Sequence, residues 1–178
     1  MSVTYHLPIP SGASKSSIEK LAEDLVGKLA FPNGGSLEEL VSKTGGRIVF
    51  GSDGADEGLS GSIIARSVSD YTIFLSEHTS RQRDRFTIAH ELGHLILHLR
   101  KVKEKGGDLV MRATRWIDEA DDTQRRAEWE ANWFAAAFLM PKAAFERVWR
   151  DGGVAAAHRE FDVSVSAAQT RVKSLSLE

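Results

Sequence analysis

At 178 residues the chain is long enough for one compact domain with a real core and a small appendage. Apolar content of 42% and charged content of 27% fit a soluble globular protein, and a net charge of −2 excludes any global attraction to nucleic acid or an anionic membrane. There is no cysteine, so disulfides and thiolate metal sites are excluded and any metal must be held by His, Asp or Glu.

The opening MSVTYHLPIPSGASKSS has neither the basic start nor the apolar run of a secretory signal. The longest apolar stretches are about 8 residues, far short of the ~20 that span a bilayer, so a cytoplasmic protein is expected. Pro8, Pro10 and Gly12 predict an irregular lead-in over residues 1–15. Ile18, Leu21, Ala22, Leu25, Val26 and Leu29 then recur at helical spacing, and Phe31-Pro32-Asn33-Gly34-Gly35 ends that helix. Ser36 with Glu39 three residues later is a capping-box signal for a second helix reaching Lys43. Three β-like runs follow, Arg47 to Phe50, Gly61 to Arg66 and Tyr71 to Leu75, with a turn region from Gly51 to Ser60. They predict a small three-stranded sheet.

The stretch Arg81 to Leu99, RQRDRFTIAHELGHLILHL, is apolar nearly all round and predicts a buried helix. Within it His90 and His94 stand one turn apart on the same face, where two imidazoles can hold one zinc ion. Glu91 beside them is the candidate acid/base, placed to take the proton of a water that zinc has acidified. Gly93 leaves room for another backbone to approach closely. His98 lies a rise of ~12 Å from His90, too far to share an ion already held by His94, and is expected to be a buried histidine or one that orients a ligand. The pattern HExxH also arises by chance, so a third ligand must be found elsewhere.

The charged segment from Arg100 to Arg126 predicts a solvated, irregular loop with one strand within Asp108 to Trp116. A strong helix then runs from Asp122 to Met140, ended by Pro141. On it Glu128 and Asn132 share a face, with Ala131 and Ala135 small enough for another helix to pack closely. Glu128 is the preferred third ligand of a His2Glu site, with Asn132 hydrogen-bonding to orient a ligand. Glu130 points to the opposite side and is expected to be an exposed charge, while Trp129, Trp133, Phe134, Phe138 and Met140 fill a buried surface. A second electrophile is left open among Tyr71, His98, His158 and an arginine. An extended substrate is expected to add to a strand edge near Gly61 to Ser67.

A further helix from Lys142 to Arg150 stops at Gly152-Gly153. The last stretch predicts a helix, a turn at Asp162-Val163-Ser164, and a second helix with Val165, Ala168, Val172 and Leu175 inward. The expected organisation is an α+β core over residues 1–150, a small sheet packed on helices, with a helix-turn-helix-like segment over 151–178 packed on it. His158, Arg159, Arg171 and Lys173 make only a weak basic face beside Glu160 and Asp162, so direct DNA binding is not expected.

The segments RFTIAHELGHLILH (85–98) and EWEANWFAAAFLMP (128–141), with TIFLS before them and FDVSVSAAQTRVKSLSL after, resemble the ImmA/IrrE family of metallopeptidases. The likeness covers most of the chain from Tyr71 onward, and the paired motifs are highly specific. It implies a zincin-like core with His90, His94 and Glu128 as ligands of one catalytic zinc and Glu91 as the acid/base. It also implies cleavage of a protein substrate, commonly an Xre/Cro-type helix-turn-helix repressor, to relieve repression in mobile-element induction or stress response. The competing expectation is a regulator of the same fold that binds a repressor or antitoxin without cutting it.

Overall fold

The computed structural model describes residues 3–51, 61–114, 118 and 120–177. Five strands are ordered β1 (Tyr5–His6), β5 (Val110–Thr114), β3 (Gly61–Ser67), β4 (Asp70–Leu75), β2 (Gly46–Phe50) across one mixed sheet. The two outer pairings are parallel and the two inner ones antiparallel. Period-two alternation turns Ile63, Ala65, Tyr71, Ile73, Met111 and Ala113 to the covered face, all buried. Three of these are the strands expected between Arg47 and Leu75, and β5 is the further strand expected within Asp108 to Trp116. The added one is β1, whose two residues are too few to carry a periodic signal. Residues 52–60 of the expected turn region lie outside the described residues, as do 115–117 at the end of the expected strand.

Among the described residues six helices complete the α+β fold: α1 (Lys15–Lys28), α2 (Leu37–Lys43), α3 (Arg81–Lys105), α4 (Asp122–Leu139), α5 (Lys142–Phe161) and α6 (Val165–Ser174). Side-chain N-caps start most of them: Ser14, Ser36, Ser80, Asp121 and Ser164 each accept a backbone N–H of the first turn. Helix α3 runs six residues past Leu99, into RKVKEK. Val102 continues the buried stripe of Leu95 and Leu99, Arg100 pairs with Glu104 one turn on, and basic residues face the helix C-terminus. Charge alone therefore does not make a loop. Helix α5 extends past Arg150 to Phe161 but leaves helical dihedrals at Gly152 and Gly153.

Helix α3 lies across the sheet and packs against α4, and α4 packs in turn against α1. Phe145, Ala157 and Phe161 of α5, and Ala168 and Val172 of α6, belong to the same apolar cluster as the sheet and α3. Two buried arginines tie this end of the chain down. Arg85 donates to the carbonyls of Asp162 (3.0 Å) and Gly35 (2.7 Å), and Arg171 donates to Met140 O (3.1 Å) and Glu19 (2.6 Å). Two expected inward residues face solvent instead: Val165, at the first position of α6, and Trp129 on the outer side of α4.

Candidate metal centre

The close approach of α3 and α4 builds the site. A Cβ placed on Gly93 would lie 3.1 Å from both Cα and O of Ala131, so the two backbones meet where neither residue has bulk. This seats Glu128 of α4 opposite the two histidines of α3. Its carboxylate oxygens lie 3.2 Å from His90 Nε2 and 3.1 Å from His94 Nε2, and the two Nε2 atoms are 3.0 Å apart. Among the described residues these three form a group whose ligand atoms all lie within 4.8 Å of one another.

The donor chemistry fits a metal ion. His90 Nδ1 is engaged by Asn132 Oδ1 at 3.0 Å and His94 Nδ1 by His98 Nδ1 at 3.0 Å, so both rings turn Nε2 toward Glu128. Two ring nitrogens and a carboxylate so close repel one another unless something positive lies among them. Tetrahedral ligands about 2.0–2.1 Å from zinc sit about 3.3 Å apart, close to the separations here.

The electrostatics agree. Burial, ahead of Glu128's opposing influence, pushes the pKa of His94 down to about 4, which keeps its ring neutral. Burial also opposes charge on His90, but the hydrogen bond to Glu128 and the charges of Glu91 and Glu128 outweigh it and raise its pKa. Burial would raise Glu128, yet the two histidines hold it well below the usual carboxylate range. The carboxylates thus draw positive charge to the site, where His94 stays neutral and His90 is the ring that favours a proton.

Glu91 is buried at the wall of a cleft of about 470 Å³ that it shares with His90, Glu128, Thr87, Phe74 and Thr114. Arg83 and Phe86 also line a second, more apolar groove of about 790 Å³ between α1, α4 and α6, so the two depressions adjoin at these residues. Of the residues proposed as a second electrophile, Tyr71 is buried with its hydroxyl on Thr44 (2.6 Å), His98 is buried behind His94, and His158 is bonded to Val163 O. None of the three lines the cleft, whereas Arg83 does. The Gly61–Ser67 strand is hydrogen-bonded on both sides, by β4 and β5, so the expected strand edge is not there.

The largest departure is Glu130. It is fully buried, not exposed, because it sits between His98 of α3 and the lead-in to α1, which covers that side of α4. Its carboxylate accepts from His98 Nε2 (3.1 Å), Arg126 Nε (2.9 Å), the backbone N–H and hydroxyl of Ser11 (both 2.7 Å) and the Gly12 N–H (3.0 Å). Burial would raise its pKa, but these donors outweigh it and hold it at about 2. The available signal was His98 itself: a histidine buried in an apolar helix needs a polar partner.

Two imidazoles and a carboxylate brought together on an α+β fold make a donor set that could hold a metal ion. The chain belongs to the peptidase M78 family, described as the IrrE N-terminal-like domain, whose model matches residues 47–173. Among solved structures it is similar in fold to a Mycobacterium tuberculosis transcriptional regulator, with a TM-score of 0.60 and 17% identity over 89% of this chain. The match spans 46% of that regulator, so this chain corresponds to less than half of it. A search of curated proteins finds no significant match. No helix among the described residues is long and apolar enough to cross a membrane.

Proposed function

We propose that the chain is a zinc-dependent endopeptidase of the cytoplasm whose substrate is a protein, an Xre/Cro-type helix-turn-helix repressor, and whose action relieves repression. One observation carries this reading: His90, His94 and Glu128 turn three electron-rich atoms onto one point, with Glu91 alongside in an open cleft. His90, His94 and Glu128 would hold the ion, and Asn132 and His98 would fix the two rings. When bound, zinc supplies Lewis acidity that activates water and polarises a carbonyl at neutral pH. Glu91 takes the proton of the attacking water and delivers it to the leaving amine. A groove adjoining the cleft offers contact surface beyond the site, which suits an extended polypeptide better than a small molecule.

In this reading residues 1–150 form the peptidase core and 151–178 a helix-turn-helix-like segment that supports it. Arg171 is buried against Glu19 and Met140, which removes it from the basic face that DNA binding would need. A protein partner is therefore favoured over an operator.

The test is zinc analysis of the purified protein, then incubation with an Xre/Cro-type repressor, chosen first from any encoded beside its gene. One zinc per chain and discrete repressor fragments are expected. Glu91→Gln should keep zinc and slow cleavage by about 10²- to 10⁴-fold. Repressor loss unchanged in that variant rules out the hydrolytic reading. A stable complex without fragments supports the non-cleaving regulator instead.

A further inference from the structure

The buried chain behind His94 reaches the N-terminal lead-in, and no part of it beyond His98 takes part in the chemistry above. Glu130 receives five donors on two oxygens: Ser11 N–H, Ser11 Oγ and His98 on Oε2, Gly12 N–H and Arg126 on Oε1. A carboxylate so surrounded only accepts. A neutral His98 must then donate through Nε2–H, which leaves its Nδ1 as a lone pair. That lone pair faces His94 Nδ1 at 3.0 Å, so His94 carries its hydrogen on Nδ1 and its own lone pair on Nε2, the atom aimed at Glu128. Each tautomer is dictated by the next group outward.

The outer end of the chain is the strap of residues 11–13 that leads into α1. Gly12 has φ +76, a left-handed conformation that favours glycine, at the strap whose two successive N–H groups meet the Glu130 carboxylate. Arg126 closes the clasp from the other side, with Nη2 donating to Ala13 O at 2.6 Å while its guanidinium lies over Trp133. Strap, Arg126, Glu130 and His98 thus lie in unbroken hydrogen-bonded contact with a candidate metal ligand.

We propose that Glu130 is a positioning residue for the metal centre, and that docking of residues 11–13 on it sets the tautomer and ring orientation of His94. Metal binding and strap docking are then coupled, and each strengthens the other by the same factor. A partner that captured the lead-in would loosen the metal site without touching it. The metal half of this inference rests on the proposed function; the tautomer half does not.

Two measurements test it. Ring ¹⁵N spectra of the metal-free, full-length chain should show His94 protonated on Nδ1 and His98 on Nε2. Zinc competition against a chelating dye should show affinity falling about 10- to 100-fold in Glu130→Gln, whose single carbonyl oxygen cannot serve all the donors, and in His98→Phe. Ser11→Ala, which removes one hydroxyl donor and spares the core, should lower affinity several-fold. Amide exchange at Ser11 and Gly12 should slow when zinc is added. His94 protonated on Nε2 would overturn the proposal whatever the chain binds. So would wild-type zinc affinity in Ser11→Ala together with a folded Glu130→Gln. If the wild-type chain takes up no zinc, the proposed function fails, and the ring tautomers still decide the positioning chain.

Discussion

Glu128 and Glu130 stand two residues apart on α4, and the two sides of that helix use the same chemical group in opposite ways. On the cleft side Glu128 keeps a quarter of its side-chain surface exposed and meets two imidazole nitrogens. On the inner side Glu130 is wholly buried and saturated with donors. The first arrangement gathers electron-rich atoms that a cation would hold together. The second is complete as it stands. Groups meant to receive a ligand would keep open coordination, whereas a scaffold that aims them is best saturated.

Replacing each glutamate by alanine should separate the two roles most sharply. Glu130→Ala leaves His98 and Arg126 buried or half-buried without their partner, at a cost of about 3–5 kcal/mol in urea unfolding of the metal-free chain. Glu128→Ala should cost under about 1 kcal/mol in the same assay, since it relieves crowding as well as removing contacts, yet it should abolish tight zinc binding. Equal losses from the two variants would mean that the cleft side is structural too.

Acid should erase the difference between wild type and Glu130→Gln. The pKa of Glu130 is held at about 2 in the folded chain, against about 4.3 when unfolded. A depressed carboxylate contributes stability that is fully present above the unfolded value and is lost as pH falls through the folded one. The gap should be on the order of 2 to 3 kcal/mol at pH 6 and should close between about pH 4 and pH 2. Unfolding curves at pH 6, 4.5 and 3.5 measure it, and a gap that does not narrow would place its origin outside this ionisation.

The contact that both sides depend on is the α3–α4 crossing at Gly93. Gly93→Ala would set a methyl group 3.1 Å from the Ala131 backbone, where no flexible side chain can yield. The helices must part by a few tenths of an ångström, and overpacking of this kind costs about 1–3 kcal/mol. Zinc affinity should fall as well, because Glu128 moves with α4. Unchanged stability and unchanged affinity would show that the crossing has slack.

The cleft side of α4 was far more legible in the sequence than the inner side, for a physical reason. His90, His94, Glu128 and Asn132 sit at helical spacings on two short segments, so local periodicity alone puts them on facing stripes. Glu130 is defined by a neighbour 119 residues away, Ser11, in a stretch whose prolines and glycine suggest only irregularity. Helical projection gives the direction of a side chain but not what lies there, and α4 has α1 behind it. The same limit explains β3. Its sequence reads as a strand, but only the pairing with β5, drawn from a charged segment, makes it interior. Where charge and burial compete, as along RKVKEK at the end of α3, the buried stripe of Leu95, Leu99 and Val102 decides.

A third side of α4 completes the comparison, and nothing in the site should depend on it. Trp129 is half-exposed, and its ring meets only the equally surface-placed Arg125 guanidinium, at 5.9 Å, among the aromatic and cation contacts of the described residues. Such an exposed pair contributes about 0.5 kcal/mol. Trp129→Ser should therefore change unfolding free energy by no more than about 0.5 kcal/mol and leave zinc affinity intact, although its neighbours on both sides are glutamates that matter. A loss above about 1 kcal/mol would mean that this side, too, is covered in solution, and size measurement of the wild-type chain against the variant would show whether a second copy covers it.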